Sequence, residues 1–544
     1  MTLSVARLRL YWDTLRHLKP VQFYGRLWFR YARPSVNAGP PPSVRSQAQD
    51  VWRTAARRRP SLLAPSLFRF LNETRSLDDG GWEDAGASKL WLYNLHYFDD
   101  LNATDADARA DWHDVLIERW IAENPPGRGT GWEPYPTSLR IVNWIKRARA
   151  GRPLSDAAVH SLAIQTRWLS KRLEHHLLGN HLFANAKALV FAGCFFEGPE
   201  ADAWLSRGLG ILEREIPEQI LPDGGHFELS TMYHALALED LLDLANILRS
   251  SHRGVPAGWQ KRIAAMRDWL SVMTHPDREI AFFNDAAIGV APSPPELEAY
   301  ALQLDLPRMA EEFLGQRWLR DSGYVRLSAG PANAILDVAR VGPDYLPGHA
   351  HADTLSFELS LGDRRVIVNT GTSVYGDDPE RLRQRGTAAH STVVIDGGNS
   401  SEVWSGFRVA RRARPKSLRV MPGEVECSHD GYRWTPGAPR HTRRWQLGEA
   451  GLTVADAIRS AHTLAEAMFH FHPDFTPAIA DDGGETSGLR SPDGTVLAWR
   501  VRRGRARLEP STWHPEFGVA IASQRLVVEL ERGESLVEFS WIVD

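Results

Sequence analysis

The 544-residue chain has few cysteines, no long apolar run and almost no net charge. Its two cysteines, Cys194 and Cys427, are far apart in sequence, so we interpret both as unpaired thiols and exclude a disulfide framework. No stretch of about 18 apolar residues is present, which excludes a membrane-spanning helix. A net charge of -3 gives no overall attraction for a polyanion. Any anionic ligand must therefore meet a local cationic patch, and nucleic acid is not expected as a partner.

The N-terminal segment also lacks the uninterrupted apolar core and small-residue cleavage site of a secretory signal. The sequence therefore predicts a cytoplasmic protein, with a periplasmic location left open. This segment is rich in aromatic residues and has one acid, Asp13, against seven cations: Arg7, Arg9, Arg16, Lys19, Arg26, Arg30 and Arg33. Two interpretations stay open, namely peripheral contact with an anionic membrane and packing of helices against the rest of the protein.

Periodicity divides the chain into three predicted parts. Residues 1–60 form a basic helical segment that ends in a Pro-rich linker at 34–50. Residues 61–315 contain at least seven successive segments with apolar residues three and four apart, which predicts a closed or nearly closed ring of helical hairpins. In residues 316–544 the period changes to two in short β-branched runs, which predicts an antiparallel β-sandwich. The fold class is therefore α+β and multidomain, and the cleft between domains is the expected binding site.

The stretch LLGNHLFANAKALV (177–190) places Asn180 and His181 where a helix is predicted to begin. One interpretation is structural, because Asn is a preferred N-cap and Gly179 is a preferred helix terminator. The other is functional, because side-chain donors at the positive end of a helix can receive a carboxylate.

A second stretch, LPDGGHFELSTMYHALALEDLL (221–242), places His226, Ser230 and Tyr233 at offsets of four and three, on one predicted helical face. A lone tyrosine on a helix is more often a core residue than a catalyst. A phenol with an unperturbed pKa near 10 is a poor base unless cations or hydrogen bonds stabilise the phenolate. Tyr233 therefore needs a partner.

The run GTGWEPYPTSLRIVNWIK (129–146) passes from a loop into a helix and supplies side chains that could line a sugar groove: Trp132, Glu133, Tyr135, Arg140 and Asn143. Among them, Arg140 could hold a carboxylate bidentately.

In the β-rich part, GHAHAD (348–353) brings His349 and His351 together ahead of a strand, and His390 lies in a second strand-like run. The histidines could form a metal site, serve as acid and base, or be satisfied core groups. A metal site with Asn369 as third ligand has a geometric difficulty, because a hairpin turn at 362–363 pairs Asn369 with Ser356, on the face away from His351. A bulge is required, or His351 must still lie in the loop before the strand.

Five motifs in a fixed order make the chain resemble the heparinase II/III family of polysaccharide lyases, which includes alginate and other uronate lyases. The motifs are GNH (179–181), DGGHFELSTMYH (223–234), GHAHADTLSFEL (348–359), VNTGTSVYG (368–376) and RGTAAHSTV (385–393). The resemblance covers roughly residues 90 to 540 and implies an incomplete (α/α) toroid followed by an antiparallel β-sandwich.

The resemblance also implies residue roles. Asn180 and His181 would neutralise a uronate carboxylate, Tyr233 would be the catalytic phenol, and His349 would be its partner base or acid. The expected substrate-binding residues are His96, Trp132, Glu133, Tyr135, Arg140, Asn143, His226, Tyr375 and Arg385. A structural, zinc-like divalent metal would be held by His351, Asn369 and His390. Many relatives carry Asp at the second ligand, so the neutral amide of Asn369 predicts a weak or absent metal.

The predicted function is β-elimination of a uronic-acid-containing acidic polysaccharide, glycosaminoglycan-like or a bacterial exopolysaccharide, to give 4,5-unsaturated products. No oligomeric state is predicted. One alternative is a non-catalytic saccharide-binding protein in exopolysaccharide assembly. Another is a glycoside hydrolase, which needs two carboxylates at a defined separation, drawn from Asp223, Glu228, Glu239, Asp240 and Asp285. A cupin-like oxygenase is disfavoured because Glu358 does not have the expected spacing and a cupin does not explain the helical half.

Overall fold

The structure is a computed structural model, and it describes residues 5–46, 52–308, 315–478, 487–490 and 496–541. Its helices are α1 (Val5–Leu15), α2 (Pro20–Tyr31), α3 (Leu77–Gly80), α4 (Lys89–Tyr97), α5 (Ala110–Glu123), α6 (Pro134–Arg149), α7 (Asp156–Lys171), α8 (Gly179–Phe195), α9 (Pro199–Gln219), α10 (Thr231–Ser250), α11 (Trp259–Val272), α12 (Pro294–Gln303) and α13 (Pro379–Arg385). Among the described residues, none of these helices combines the length and the hydrophobicity needed to cross a bilayer.

Helices α4 to α12 form an arc in which α6 packs against α4 and α8, and α8 against α9 and α10. Helix α10 continues the arc by contacting α11 and α12. Helix α8 is apolar on nearly all sides, and its residues are buried almost throughout, as expected for a helix enclosed by its neighbours. Large side chains such as Trp120 and Trp144 fill the core between the helices.

The strands are β1 (Leu62–Ala64), β2 (Leu67–Phe70), β3 (Glu73–Ser76), β4 (Gly315–Leu319), β5 (Tyr324–Ala329), β6 (Ala332–Asp337), β7 (Phe357–Leu361), β8 (Arg364–Val368), β9 (Val393–Ile395), β10 (Val403–Trp404), β11 (Arg408–Val409), β12 (Pro415–Met421), β13 (Glu424–His429), β14 (Arg440–Gly448), β15 (Gly451–Arg459), β16 (Ala465–Phe471), β17 (Thr476–Ala478), β18 (Ser487–Arg490), β19 (Val496–Arg503), β20 (Arg505–Trp513), β21 (Ile521–Glu529) and β22 (Glu534–Trp541).

Two large antiparallel sheets form the sandwich. One sheet runs β20-β21-β16-β8-β7-β6-β5-β4, with β9 also beside β16, and the other runs β12-β13-β14-β15-β22-β19-β18-β17. Along β14 and β15 buried residues alternate with more exposed ones, so each strand places every second side chain in the core. Trp445, Trp499 and Phe469 belong to this core. The predicted fold class is thus confirmed: an incomplete (α/α) toroid followed by an antiparallel β-sandwich.

Several local predictions need correction. The small sheet β1-β2-β3 was not predicted and lies at the start of the helical part. One of the helical segments predicted from apolar spacing, residues 156–178, is shorter in the structure and ends at Lys171. The Pro-rich run, which was predicted as a linker, is bound to α7. Arg167 Nη1 donates to the Gly39 carbonyl at 2.7 Å, and Nη2 donates to the Pro40 carbonyl at 2.8 Å. Residues 47–50 of this run lie outside the described residues. Cys194 and Cys427 are buried free thiols, as predicted.

The hairpin between β7 and β8 resolves the register difficulty at Asn369. Leu359 pairs with Ile367 but Ser360 pairs with Arg365, so a β-bulge lies between the two pairs. In addition, β7 begins only at Phe357, which leaves His351 in the preceding loop. Both conditions that the sequence left open are therefore met.

Candidate active site

The first site element is the start of α8. The helix begins at Gly179, one residue before the predicted N-cap, and its N-cap is Leu178, without a side-chain cap. The Asn180 side chain is therefore not used for capping. It lines an open cavity of about 70 Å³ between the helices and hydrogen-bonds the Tyr135 side chain.

His181, the next residue, is partly exposed and faces carboxylates. Its Nδ1 lies 3.2 Å from Glu174 Oε1, and its ring centroid lies 4.5 Å from that of Tyr135. Burial lowers the pKa of His181, but Glu174, Glu228 and Glu133 outweigh that effect and raise the pKa above its ordinary value. The imidazolium is thus favoured beside the Asn180 amide, where it can meet an anion.

The second element is the start of α10. Its N-cap is Ser230, whose Oγ accepts a hydrogen bond from the Tyr233 backbone N–H at 3.1 Å and donates to the Asp285 carbonyl. His226 precedes the helix, so His226, Ser230 and Tyr233 do not share a helical face as predicted. The cap instead fixes Tyr233 in the first turn.

The loop before β7 brings His349 from the sandwich onto Tyr233 of the toroid. The two rings stack with centroids 3.8 Å apart and planes 12° apart. The Tyr233 and Tyr375 hydroxyl oxygens lie 3.2 Å apart. Burial, Tyr375 and Asp285 raise the pKa of Tyr233 well above its ordinary value, so the free protein holds a neutral phenol that can donate a proton.

The buried carboxylate of Glu228 orients His349. The distance between His349 Nδ1 and Glu228 Oε2 is 2.5 Å. Burial alone would raise the pKa of Glu228, but His349 and His226 lower it below its ordinary value, so the carboxylate is ionised. An ionised carboxylate can only accept, so the proton lies on Nδ1. In the neutral ring this tautomer leaves the lone pair of Nε2 available as a base.

Two leucines with left-handed backbone precede the site segments. Leu178 has φ 64° immediately before α8, and Leu229 has φ 59° immediately before the Ser230 cap. The Leu229 carbonyl accepts hydrogen bonds from Asn284 Nδ2 at 3.0 Å and from the Tyr324 hydroxyl at 2.7 Å. Such conformations cost about 1–3 kcal/mol each and persist where surrounding contacts fix them, commonly at functional sites.

Three further predicted residues line the same cavity as Asn180 and Tyr233: Tyr135, Asn143 and His226. Asn143 is partly committed to the fold, since its Nδ2 donates to the Tyr97 carbonyl at 2.9 Å and to Asp99 Oδ1 at 2.6 Å. His226 is buried, and burial lowers its pKa to about 4. It is therefore neutral near pH 7.

The cavity is lined by a charged network of which the sequence analysis named only Glu239 and Asp240, as candidate hydrolase carboxylates. The network consists of Arg58, Lys146, Lys187, Glu239, Asp240 and Asp243. Lys146 and Lys187 Nζ each lie 2.6 Å from Asp243 Oδ2, and Lys187 Nζ also lies 2.7 Å from Asp240 Oδ1. Apart from Arg58, which precedes β1, these groups lie on α6, α8 and α10, where helical spacing directs side chains of successive turns toward the centre of the arc.

Three predicted substrate-binding residues are buried in the helical core instead. Arg140 donates to Gln165 and to the backbone carbonyls of His96 and Gly131, and its guanidinium lies 3.8 Å from the Trp120 ring centroid. These contacts leave it no access to a ligand.

His96 and Trp132 are also core residues. His96 Nδ1 accepts a hydrogen bond from Trp120 Nε1 at 3.0 Å, while Trp132 Nε1 donates to the Asn124 carbonyl at 3.1 Å. Of the predicted residues in the loop-to-helix run 129–146, Tyr135 and Asn143 therefore line the cavity, whereas Trp132 and Arg140 lie in the helical core.

The remaining predicted residues lie near the site in different roles. Tyr375 packs edge-on against Phe407 with ring centroids 5.2 Å apart and faces the Tyr233 hydroxyl. Glu133 is partly exposed and binds Lys89 Nζ at 2.5 Å and the Tyr93 hydroxyl. Arg385 is buried and does not reach the cleft, which corrects its predicted role. It donates to the Ala350 carbonyl from Nε at 3.0 Å and from Nη2 at 2.9 Å and so holds the His349 loop in place.

The three predicted metal ligands are all buried. His351 Nδ1 lies 3.2 Å from His390 Nε2, and His351 Nε2 lies 2.8 Å from Asp285 Oδ1. The Asn369 amide donates to the Phe282 carbonyl and its oxygen accepts from the Ser391 N–H. Among the described residues no cluster of three His, Cys, Asp or Glu side chains could hold a metal.

A resident metal fits this arrangement poorly. Both His351 nitrogens already have protein partners, and the Asn369 side chain has partners at both its oxygen and its nitrogen. Of the three predicted ligands, His390 keeps one buried ring nitrogen, Nδ1, without a hydrogen-bond partner, whereas His351 and Asn369 are fully engaged. A weak or absent metal remains our prediction.

Asp285 and Arg381, which were not predicted as a pair, form a buried ion pair behind the site. Arg381 Nη2 lies 2.7 Å from Asp285 Oδ2, and Nη1 contacts Oδ1. Arg381 also lies over the Tyr375 ring, 4.8 Å from its centroid. Burial opposes ionisation of Asp285, but Arg381 and His351 outweigh it and lower the pKa of Asp285 far below its ordinary value.

Comparisons with known proteins agree with this architecture. Residues 118–293 match the model of the heparinase II/III N-terminus, and residues 314–542 match that of the heparinase II/III-like C-terminal domain. The chain belongs to the heparinase II/III-like family.

Proteins of similar sequence include one named as a heparin-sulfate lyase and one named for its localisation with FtsZ. A heparin-sulfate lyase of Bacteroides stercoris is 28% identical over 302 residues, covering 50% of this chain and 45% of that protein. The match thus spans less than half the length of that relative. FtsZ-localized protein C of Caulobacter vibrioides is 25% identical over 512 residues, covering 86% of this chain and 84% of that protein. A crystal structure of heparinase III has a TM-score of 0.70 at 16% identity, covering 97% of this chain and 92% of that one, which supports the fold.

Proposed function

We propose that this protein is a polysaccharide lyase that cleaves a uronic-acid-containing acidic polysaccharide by β-elimination. The observation that carries the proposal is the stacked pair of Tyr233 from the toroid and His349 from the sandwich, 3.8 Å apart at ring centroids, near Asn180 and His181. Membership of the heparinase II/III-like family and the relationship to proteins named heparin-sulfate lyase support it.

Asn180 and His181 neutralise the substrate carboxylate in this proposal. The C5 proton of a uronate is weakly acidic until the negative charge that spreads onto the carboxylate is stabilised. The cationic form of His181 is favoured by Glu174, and the Asn180 amide lies next to it. Donors that already point at the developing charge lower the barrier most.

His349 and Tyr233 then transfer the two protons. His349 Nε2 takes the proton from C5, the C5–H electron pair forms the C4–C5 double bond, and the bond from C4 to the glycosidic oxygen breaks. Tyr233 protonates the departing oxygen. Glu228 stabilises the resulting imidazolium. His349 then passes the proton taken from C5 to the neighbouring Tyr233 phenolate, which restores the neutral imidazole and the neutral phenol.

A glycoside hydrolase is disfavoured because its candidate carboxylates already have structural partners. Glu228 binds His349, Asp285 binds Arg381, and Asp240 binds Lys187. The other two candidates are also engaged: Glu239 pairs with Arg58, and Asp223 accepts the backbone N–H groups of residues 321 and 322. No two of them are paired across an open cleft in the described residues.

The deciding experiment is a screen of uronate polymers, including glycosaminoglycans, alginate and bacterial exopolysaccharides. A lyase gives products that absorb in the ultraviolet and gain no water in mass, whereas a hydrolase gives products with one added water and no new chromophore. We expect Tyr233→Phe and His349→Ala to lower kcat by roughly 10²–10⁴-fold.

The matched controls are Tyr432→Phe, which loses a hydrogen bond to the Val393 carbonyl inside the sandwich, and His462→Ala, outside the cleft. Both should retain wild-type activity per folded molecule. Full activity in Tyr233→Phe would remove the assignment.

A second candidate function follows from the relative that matches over most of its length. That protein is named for its localisation with FtsZ, and its match covers 86% of this chain. If this second candidate function is correct, the protein acts at a cell-division site without catalysis. It is favoured if no uronate polymer in the screen yields unsaturated product while the purified protein co-sediments with FtsZ polymers.

A further inference from the structure

The N-terminal helical pair, α1 with α2, is fixed to both domains through one face. Gln22 is buried, and its Nε2 donates to the Tyr345 carbonyl of the sandwich part at 3.1 Å. On the toroid side, Arg172 Nη1 donates to the Phe29 carbonyl at 2.8 Å, and its guanidinium lies 3.6 Å from the Phe29 ring centroid. Helix α1 is held on the sandwich side, where Trp404 Nε1 donates to the Thr14 hydroxyl at 3.1 Å and the Trp404 ring packs edge-on against Tyr11. Each helix therefore has one face inward and one face outward.

The outward face is apolar and aromatic. Half of the exposed large apolar side chains in the described part of the chain lie on these two helices: Val5, Leu8, Trp12, Leu15, Phe23, Tyr24, Leu27, Trp28 and Tyr31. Trp12 is 66% exposed and Trp28 is 71% exposed. The spacings of three, four and seven place them along one side of each helix. Exposed apolar side chains grouped in this way mark an interaction surface.

Positive charge surrounds this face. Residues 5–33 contain seven cations and one acid, although the whole chain has a net charge of -3. The acid, Asp13, is buried and binds Arg16 Nη2 at 3.2 Å. Exposed Arg408 of the sandwich lies close enough to Arg26 to repel it. The outward face is therefore both apolar and cationic.

We propose that this outward face docks on an anionic lipid membrane and holds the protein at the bilayer surface. Tryptophan and tyrosine favour the boundary between head groups and acyl chains. Arginine can lay its apolar stem along the boundary while its guanidinium meets lipid phosphate. Clustered cations beside such a helix add attraction to an anionic leaflet.

A second copy of this chain fits the face less well. Pairing two such faces would bring together two segments that each carry seven cations against Asp13 and the Glu218 partner of Lys19, and like charges across an interface oppose association. An anionic bilayer supplies both the missing charge and an apolar layer. The inference does not depend on the proposed lyase activity.

Membrane docking would place the cleft close to the bilayer. Tyr345, which accepts the Gln22 hydrogen bond, adjoins Leu346, and Leu346 lies against Gly179 at the start of α8. The docking face and the Asn180 segment are thus connected through one short loop.

Co-sedimentation of the full-length protein with vesicles tests the proposal. The probes are vesicles of phosphatidylglycerol with phosphatidylcholine and vesicles of phosphatidylcholine alone, at about 0.1 M salt, where charges are screened beyond about 10 Å. We expect binding to the anionic vesicles that weakens as salt is raised, and weaker binding to the neutral ones.

Two variants locate the contact. Trp12→Glu with Trp28→Glu should weaken binding at least about 100-fold, because two large apolar side chains lose their burial in lipid. Arg9→Gln with Arg30→Gln should weaken it about fivefold for each arginine. The matched control is Trp318→Glu, at an exposed tryptophan of β4 in the sandwich, which should bind like the wild type. Circular dichroism melting checks that each variant is folded.

Three results would overturn the proposal: equal binding by the double tryptophan variant, equal binding to neutral and anionic vesicles, or no vesicle binding at all. Light scattering of the protein without lipid tests whether the face instead binds a second copy of this chain. A dimer that the tryptophan variant abolishes, together with absent vesicle binding, would assign the face to self-association.

Discussion

At the scale of single residues, the site depends on how Glu228, His349 and Tyr233 constrain one another. Glu228 fixes the tautomer of His349, and His349 stacks on Tyr233. The ionised carboxylate and the neutral phenol give the two rings opposite tasks, since one can accept a proton and the other can donate it.

Glu228→Gln tests the positioning role of this carboxylate. We expect kcat to fall by roughly tenfold or more, because an amide neither stabilises the imidazolium nor fixes its tautomer. The control Glu298→Gln, which removes a carboxylate of α12 that pairs with Arg267, should leave kcat unchanged. Wild-type kcat in Glu228→Gln would contradict the role.

His181 gives a second expectation, in pH dependence. Because the pKa of His181 is raised by Glu174 and its neighbours, the cation is present below that pKa and is lost as pH rises through it. KM for an acidic polymer should therefore rise on the alkaline side. In His181→Gln the same KM should be high and independent of pH over this range; a wild-type pH dependence in that variant would exclude His181 as the cause.

The predicted weak metal site can be checked directly. Elemental analysis of purified protein should give substoichiometric zinc, and dialysis against a chelator should leave the melting temperature unchanged, because the polar side-chain atoms of His351 and Asn369 already have protein partners. One tightly held zinc per chain would contradict the prediction that Asn369 weakens the metal site.

At the scale of elements, short segments rather than long helices position the chemistry. The starts of α8 and α10 carry Asn180 and Tyr233, and both follow a leucine with left-handed backbone. Helix α13 supports the sandwich side, since its Arg381 forms the buried ion pair with Asp285 and Arg385 holds the carbonyl of Ala350.

Breaking the buried pair on α13 should cost far more stability than breaking an exposed pair on the same helix. Asp285→Asn leaves Arg381 buried without its counter-charge, so we expect the free energy of unfolding to fall by about 3–5 kcal/mol. Glu380→Gln, which removes the exposed partner of Arg383, should cost under about 1 kcal/mol. Denaturant titration measures both, and equal losses would contradict the argument.

The same pair has a pH signature. The lowered pKa of Asp285 means that its contribution is present above the unfolded-state pKa and is lost as pH falls toward the folded-state value. The stability gap between wild type and Asp285→Asn should therefore narrow in acid.

At the scale of the whole molecule, the site exists because the toroid and the sandwich pack closely in a fixed relative position. Gly179 at the start of α8 has φ 52°, and a Cβ there would lie 2.5 Å from Leu346 Cδ2 on the sandwich side. The glycine thus permits both a left-handed turn and a close approach of the two domains.

Gly179→Ala should shift the start of α8 relative to the sandwich. We expect roughly tenfold lower kcat/KM, because a small shift of Asn180 misplaces the carboxylate contact, together with a modest loss of stability from strain at positive φ. The control Gly210→Ala, where nothing lies within 4 Å of a new Cβ on α9, should be as active as the wild type and slightly more stable. Identical kinetics in both variants would show that the approach of the domains does not matter.

The sequence by itself determined the periodic elements and the order of the site motifs. Spacings of three and four across 111–274 predicted the helices, and alternation after 316 predicted the strands, because these periods follow from local backbone geometry. The motifs around Asn180, Tyr233 and His349 were also readable, since each lies within a few consecutive residues.

Only the tertiary structure decided which side chains meet. Arg140 turned into the core against Trp120 and Arg385 turned toward backbone carbonyls, although their residue types suited a carboxylate. Glu228 emerged as the partner of His349 across 121 positions. The physical reason is that local periodicity fixes the face on which a side chain lies, whereas its partners depend on long-range packing and on which buried polar groups need hydrogen bonds.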